Sequence, residues 1–129
     1  MENKISFNTP KLPRINGVIP QAVIAGNLVF ASGMSGYHPE TGKIISDNFE
    51  EQVVQSFKNL KTVIEEAGCS MDKVVKTTLF MVTGMDPVFA VVNKVYSEFF
   101  PENPPARSAP QVMPFPSGIL FSIECIAIL

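Results

Sequence analysis

The sequence predicts one α+β domain in which two helices cover one face of a mixed β-sheet. Two segments place apolar residues at helical spacing, several short runs are rich in β-branched residues, and the C-terminal run is apolar on both faces. A chain of 129 residues can bury a core without disulfides or metal, so we expect a single domain over residues 1–129. The predicted order of elements is ββαβαββ.

The N-terminal part of the chain predicts a lead-in followed by a hairpin. Residues 1–16 combine prolines with scattered polar residues, which is typical of an extended segment. Residues 21–25 and 28–32 are β-prone runs, and the Gly26-Asn27 pair between them suits a two-residue turn. Glycines and prolines then predict a loop over residues 33–46.

Both helices are predicted from capping residues and one apolar face. Asp47, with Glu50 three residues later, resembles a capping box, and Gly68 suits the C-terminal cap of the same helix. Asp86-Pro87 predicts the start of the second helix, and Pro101 its end. The apolar faces comprise, in chain order, Val53, Phe57, Leu60, Ile64 and Ala67, and then Phe89, Val92, Tyr96 and Phe99.

The remaining strands are predicted at residues 73–82, 106–112 and 119–129. In the last strand, alternate residues give two faces, and both are largely apolar. Two helices can cover only one side of a sheet of this size, so the other side needs another partner. The sequence therefore predicts that the sheet forms the core of an oligomer.

Composition and charge narrow the range of partners. The net charge is −2, without a basic run, so nothing favours nucleic acid or an anionic membrane. The polar N-terminus lacks the apolar stretch of a signal peptide, and no segment has the length of a membrane span, so we expect a cytoplasmic protein. Cys69 and Cys125 lack metal-ligand spacing and are predicted to be free thiols.

Several motifs along residues 17–129 resemble one known family. They are Gly26-Asn27-Leu28-Val29-Phe30-Ala31-Ser32-Gly33, Pro39-Glu40-Thr41-Gly42, Asn59-Leu60-Lys61, Glu66-Ala67-Gly68, Val74-Val75-Lys76-Thr77-Thr78, Val92-Asn93-Lys94-Val95-Tyr96, Pro104-Pro105-Ala106-Arg107-Ser108 and Ile123-Glu124-Cys125-Ile126-Ala127. Together they resemble the RidA/YjgF family, also called the L-PSP family. The resemblance implies a chorismate-mutase-like fold and a homotrimer in which the sheets form a central barrel, with clefts between subunits.

The resemblance also implies an activity and a ligand. Family members typically hydrolyse reactive enamines and imines, such as 2-aminoacrylate, to a 2-keto acid and ammonia, as 2-iminobutanoate/2-iminopropanoate deaminases do. The implied ligand is therefore a small carboxylate, either an imine or a 2-keto acid. No metal or organic cofactor is implied.

Three candidate catalytic residues follow from the resemblance. Arg107 matches the family arginine that binds the ligand carboxylate, a role that suits its planar guanidinium. Ser122 stands where family deaminases commonly carry a glutamate that orients or deprotonates the attacking water. Glu124 is retained two residues further on the same face, either as a working carboxylate or as one paired across the trimer.

Four further residues are candidate contacts with the substrate. Ser32 and Gly33 match a pair whose backbone lines the family cleft, although a glycine is also suited to the end of a strand. Ile19 stands where the family often has a tyrosine, so that wall of the cleft should be more apolar. Asn93 lies in the second helix, as a ligand contact or as a surface or interface residue.

These residues leave three functions open. The first is an imine deaminase, with activity that is weak or altered because of Ser122 and Ile19. The second is a non-catalytic trimer that uses Arg107 to bind a 2-keto acid or another small carboxylate for regulation. The third, an endoribonuclease or translation inhibitor, is disfavoured by the net negative charge and the single histidine.

Overall fold

The computed structural model describes residues 3–15 and 17–129. Within this part of the chain, seven strands form one mixed sheet, and two helices pack on one side of it. The elements are β1 (Lys4–Phe7), β2 (Ala22–Ala25), β3 (Leu28–Met34), α1 (Phe49–Glu66), β4 (Val74–Val82), α2 (Ala90–Phe99), β5 (Ala106–Ser108), β6 (Gln111–Val112) and β7 (Phe121–Ile128). The predicted α+β class, the mixed sheet and the two helices on one face are therefore confirmed.

The C-terminal strand lies near the middle of the sheet. The strand order is β1-β2-β3-β7-β4-β5, and β6 also pairs with β4. β7 is antiparallel to both of its neighbours, whereas β5 and β6 run parallel to β4. Because β7 is bordered by β3 and β4 along most of its length, its backbone is protected and its side chains form the centre of both sheet faces.

The first helix begins one residue later than its predicted cap. Asn48, not Asp47, is the N-cap, and its side-chain oxygen accepts a hydrogen bond of 2.9 Å from the backbone N–H of Glu51. The residue pair Asn48 and Glu51 has the same spacing as the predicted Asp47 and Glu50, so the spacing alone could not choose between them. The predicted end is confirmed, since Gly68 takes a φ of +92° directly after the C-cap.

The second helix begins later than Pro87, and its first turn has an unusual geometry. Both carboxylate oxygens of Asp86 accept hydrogen bonds from α2 backbone N–H groups, those of Val91 and Val92. Asp86 therefore does cap the helix, as predicted, but α2 starts at Ala90. The N-cap residue is Phe89, whose backbone is left-handed with φ 58° and ψ 23°.

The structure has two strands more than the predicted order ββαβαββ. The lead-in predicted over residues 1–16 includes β1, which pairs antiparallel with β2. The extended run predicted over residues 106–112 is divided into β5 and β6, because Pro110 between them has no N–H for the ladder. Its carbonyl still accepts from Met81 at 3.3 Å, so the strand pair resumes beyond it.

The two faces of β7 lie in different environments. The inward residues Phe121, Ile123, Cys125 and Ala127 are buried against the helices, and the ring of Phe121 stacks on Phe57 of α1. The outward face is open in a single chain, and Phe30 of β3 on that side is 40% exposed. The apolar outer face is thus present as predicted, whereas the homotrimer and the central barrel stay predictions.

Two smaller observations complete the fold. Cys69 and Cys125 are both free thiols, as predicted, and burial raises the pKa of Cys125 to about 12. Among the residues described, neither helix has the length and apolar character needed to cross a membrane.

Candidate functional site

Arg107 lies at the edge of the sheet, on the side covered by the helices. Its strand β5 pairs in parallel with β4, and Arg107 is in register with Thr77, a buried inward residue. The arginine side chain therefore meets α2. Its Nη1 donates a hydrogen bond of 2.9 Å to Oδ1 of Asn93, and its guanidinium carbon lies 4.9 Å from the ring centre of Tyr96 and 5.9 Å from that of Phe89.

The aromatic ring beneath the guanidinium is itself anchored. The hydroxyl groups of Tyr96 and Thr77 form a buried hydrogen bond of 2.7 Å. Burial raises the pKa of Tyr96, although the hydrogen bond to Thr77 and the nearby Arg107 act in the opposite direction. The phenol is therefore neutral near pH 7, so it offers Arg107 the face of a ring rather than a negative charge.

An open cleft of about 360 Å³ lies beside Arg107. It is lined by Asn93, Tyr96, Ser97, Phe100, Pro104, Pro105 and Arg107. A guanidinium carries five N–H donors, and the hydrogen bond to Asn93 uses one of them. The arrangement can therefore bind a planar anion such as a carboxylate through the donors that remain.

A second cleft, of about 290 Å³, lies beside β3, which is three strands away from β5 in the sheet. Its lining includes Ile19, Ser32 and Gly33, which brings together three of the predicted substrate contacts. Ser32 is held in place because its Oγ donates to the carbonyl of Pro20 at 2.7 Å. Ile19 is 54% exposed and contributes an apolar side chain to the wall of this cleft.

Ser122 and Glu124 border this second group of residues from β7. The register between β3 and β7 shifts between Ala31 and Met34, so the Ser32–Gly33 pair forms a bulge opposite Glu124. A Cβ atom built on Gly33 would lie 2.8 Å from Oγ of Ser122. Both β7 residues are on the outer face of the sheet, as their shared parity predicted, and Glu124 is exposed.

The candidate residues therefore fall into two groups that one chain does not bring together. Arg107 and Asn93 lie on the helix side of β5, whereas the group on β3 and β7 includes two residues of the outer face. Strand spacings of about 4.8 Å put β5 roughly 14 Å from β3 (three spacings) and roughly 10 Å from β7 (two spacings). A three-carbon ligand is only about 4 Å long at ordinary bond lengths, so it cannot contact both groups in one chain.

Sequence reasoning missed three residues near these clefts. It placed Phe89 and Tyr96 on an apolar helix face, although their spacing with Asn93, at i, i+4 and i+7, also predicts a shared contact. Arg14 lines the second cleft, where its Nη2 is 3.5 Å from the carbonyl of Ile19. The only other arginine, Arg107, lies in a recognisable motif, whereas no sequence pattern marked Arg14.

Metal ligands form no cluster in the described part of the chain. No group of three or more histidine, cysteine, aspartate or glutamate side chains is placed to hold an ion there. His38, whose Nδ1 accepts from the backbone N–H of Glu40, lies in the loop that precedes α1.

Comparison with known proteins gives one consistent result. A family model described as Endoribonuclease L-PSP matches residues 13–129. The chain is 42% identical to Reactive Intermediate Deaminase A, chloroplastic, of Arabidopsis thaliana over 95% of its own length and 64% of that protein, so it spans somewhat less than two thirds of this relative. It is 36% identical to human 2-iminobutanoate/2-iminopropanoate deaminase, over 95% of this chain and 88% of that one.

A solved structure agrees with these relatives. The crystal structure of E. coli TdcF with bound serine is 33% identical and superposes with a TM-score of 0.87, over 97% of this chain and 98% of that one. At this identity and coverage the likeness extends from fold to family.

Proposed function

The chain belongs to the endoribonuclease L-PSP (RidA/YjgF) family, and on this basis we propose that it hydrolyses small carboxylate-bearing imines of the 2-aminoacrylate type. The products are a 2-keto acid and ammonia, and no cofactor takes part. The observation that carries the proposal is the guanidinium of Arg107, held by Asn93 and Tyr96 beside an open cleft. Two relatives that carry deaminase names support it.

Arg107 binds the carboxylate of the imine in this proposal. Its contact with Asn93 fixes one edge of the guanidinium, which leaves donors free for two parallel hydrogen bonds to a carboxylate. Because Arg107 is exposed in a single chain, water would compete with the ligand there. Covering the cleft with another subunit would remove this competition and strengthen the contact.

A homotrimer supplies that cover and also completes the site. Ser32 and Gly33 lie roughly 14 Å from Arg107 within one chain, so we propose that a neighbouring copy brings its own Ser32–Gly33 bulge to Arg107. The open outer face of β3, β4 and β7, with Phe30 exposed on it, provides the apolar surface for the central barrel. Ligand binding then depends on formation of the trimer.

The hydrolytic step requires a water molecule near the C=N carbon. Water adds to that carbon, and the nitrogen leaves as ammonia once it has gained protons, which converts the imine to a carbonyl. In this proposal Ser122, whose Oγ lies beside Gly33, orients the water, but a hydroxyl is a poor base near pH 7. Glu124 lies opposite the same bulge and is the carboxylate candidate for a base.

Ile19 and Ser122 also favour a second candidate function. They replace the groups expected to hold and activate water, while the Arg107 anchor is retained. A trimer that binds a 2-keto acid without turnover fits that combination, and the serine bound to TdcF is a precedent for a small carboxylate ligand in a similar structure. The cytoplasmic location expected from the sequence stays a prediction for either function.

The two functions are separated by assaying turnover and binding on the same preparation. Imines freshly generated from several amino acids would be supplied, and ammonia and 2-keto acid release compared with spontaneous hydrolysis. A rate above the spontaneous one that is lost in Arg107→Ala supports the deaminase. Calorimetric binding of pyruvate without turnover supports the binding protein, and absence of both contradicts the proposed site.

A further inference from the structure

We infer that Phe89 is a positioning residue that presets the guanidinium of Arg107 for a carboxylate. The inference rests on the proposed role of Arg107 as the anchor. It assigns a task to a residue that does not itself contact the ligand, and it explains an unusual backbone geometry at the start of α2.

The backbone of Phe89 is in a conformation that bulky side chains seldom adopt. Its φ of 58° lies in the left-handed region, where a β-carbon crowds the following carbonyl. Such outliers persist only when the surrounding structure imposes them, and they occur preferentially at functional sites. The left-handed backbone of Phe89 must therefore be held by specific contacts, and it determines where the aromatic ring lies.

Asp86 and the first turn of α2 provide the cause. The carbonyl of Asp86 accepts the N–H of Phe89 at 3.0 Å, and its carboxylate accepts the N–H groups of Val91 and Val92. The carbonyl of Phe89 in turn accepts the N–H of Asn93 at 2.9 Å. Phe89 is thus fixed between a buried capping carboxylate and the helix it begins.

The consequence is the position of the aromatic ring. With this backbone, Phe89 at the start of α2 directs its ring to the same guanidinium that Asn93 and Tyr96 contact. All three contact Arg107, at 5.9 Å, 2.9 Å and 4.9 Å respectively. A guanidinium restrained on three sides loses less rotamer freedom when it binds a ligand, so its affinity for a carboxylate is higher.

A purely structural role for Phe89 makes a different prediction. The side chain also packs at the margin of the core, so its loss could simply lower stability. In that case ligand affinity and the mobility of Arg107 would not change in variants that remain folded. The two roles are therefore distinguished by measurements on the arginine itself.

The experiment uses the full chain with Phe89→Leu, Phe89→Asn and Phe89→Tyr. Leucine keeps apolar volume without a ring, asparagine tolerates the left-handed backbone, and tyrosine keeps the ring as the matched control. Nitrogen-15 relaxation of the Arg107 Nε–H, assigned by its absence in Arg107→Lys, measures how rigid the guanidinium is. Calorimetry with pyruvate measures affinity in the same samples.

We expect greater Nε–H mobility and an affinity for pyruvate that is about threefold to thirtyfold weaker in Phe89→Leu and Phe89→Asn, the range of a cation–π contact. Phe89→Tyr should stay within about twofold of the native affinity. A rigid Nε–H and unchanged affinity in folded Phe89→Leu or Phe89→Asn would overturn the inference. If the native protein neither binds pyruvate nor hydrolyses the imines, the proposed function fails, and the Nε–H measurement still decides the role of Phe89.

Discussion

Replacing Ser122 by glutamate should raise deaminase activity, because it supplies a carboxylate where the attacking water is expected. The structure provides the space for it. Gly33 has no Cβ, and an atom there would lie 2.8 Å from Oγ of Ser122, so only a glycine leaves this side of residue 122 open. A glutamate γ-carbon can occupy the position of that Oγ, and its carboxylate reaches roughly two bonds further, about 2.5 Å.

The size of the gain follows from the chemistry of a general base. A positioned base typically contributes 10²–10⁴-fold in rate, and we expect a value near the lower end, about 10²-fold, because Ile19 cannot hydrogen-bond the water. Ser122→Gln is the matched control, since it has the same length without a base. The gain should disappear as pH falls below the pKa of the new carboxyl, where that group becomes protonated and can no longer accept a proton.

The assay is 2-keto acid release from freshly generated 2-aminoacrylate, with oligomer mass and pyruvate affinity measured in parallel. Equal rates for Ser122→Glu and Ser122→Gln, with both parallel measurements native, would refute the placement of the water beside Gly33. Native activity that survives Ser122→Ala and is lost in Glu124→Gln, with the oligomer intact, would identify Glu124 as the working base.

Three further predictions concern binding, assembly and pH. Arg107→Ala should abolish calorimetric binding of pyruvate without unfolding the chain, because a charge-assisted bidentate contact contributes about 2–5 kcal/mol of binding free energy. Arg107→Lys should recover only part of that affinity. Unchanged affinity in Arg107→Ala would place the anchor elsewhere. Sedimentation equilibrium should give about three times the chain mass of 14.1 kDa, and Phe30→Glu should lower it because Phe30 lies exposed on the outer face; a stable, folded native monomer at micromolar concentration is the contrary result. The free energy of unfolding should not depend on Cys125 ionisation below pH 9.0 and should decrease from there to about pH 12, because burial raises the pKa of the folded thiol and the unfolded chain therefore loses its proton first. Chemical denaturation across this range should show a shallower decrease for Cys125→Ala than for the native protein, with Cys69→Ala as the control. An identical slope for Cys125→Ala would contradict the assignment.

Periodicity and turn residues were sufficient for most of the fold. The apolar face that ends at Gly68 predicted α1, and the Gly26-Asn27 pair predicted the β2–β3 hairpin. The local sequence pattern could not predict features that depend on contacts with distant parts of the chain. β1 exists because β2 offers it an open edge, and Phe89 is left-handed because Asp86 caps a helix that begins beyond it.

In the candidate site, too, the local sequence pattern predicted some features, and distant strand pairing determined the others. Alternation along β7 correctly placed Ser122 and Glu124 on one face. The side of the sheet on which Arg107 lies depends on its register with Thr77 of β4, and that register involves residues 30 positions apart in the sequence. Residue types thus indicated the chemistry, whereas strand pairing determined that the two groups are separated within one chain.

This separation leads to a test of whether neighbouring copies share a site. Arg107→Ala removes the anchor, and Gly33→Val fills the other half by placing a Cβ against Ser122, so each variant alone should be inactive. If each cleft takes Arg107 from one copy and Gly33 from the next, random subunit exchange between the two variants restores both groups in about one quarter of the clefts. Deaminase activity should then reappear on mixing, to about a quarter of the native rate, after partial denaturation allows exchange. If a mixture with proven exchange stays inactive, as followed by mass-tagged chains, the two groups do not act together across a subunit boundary.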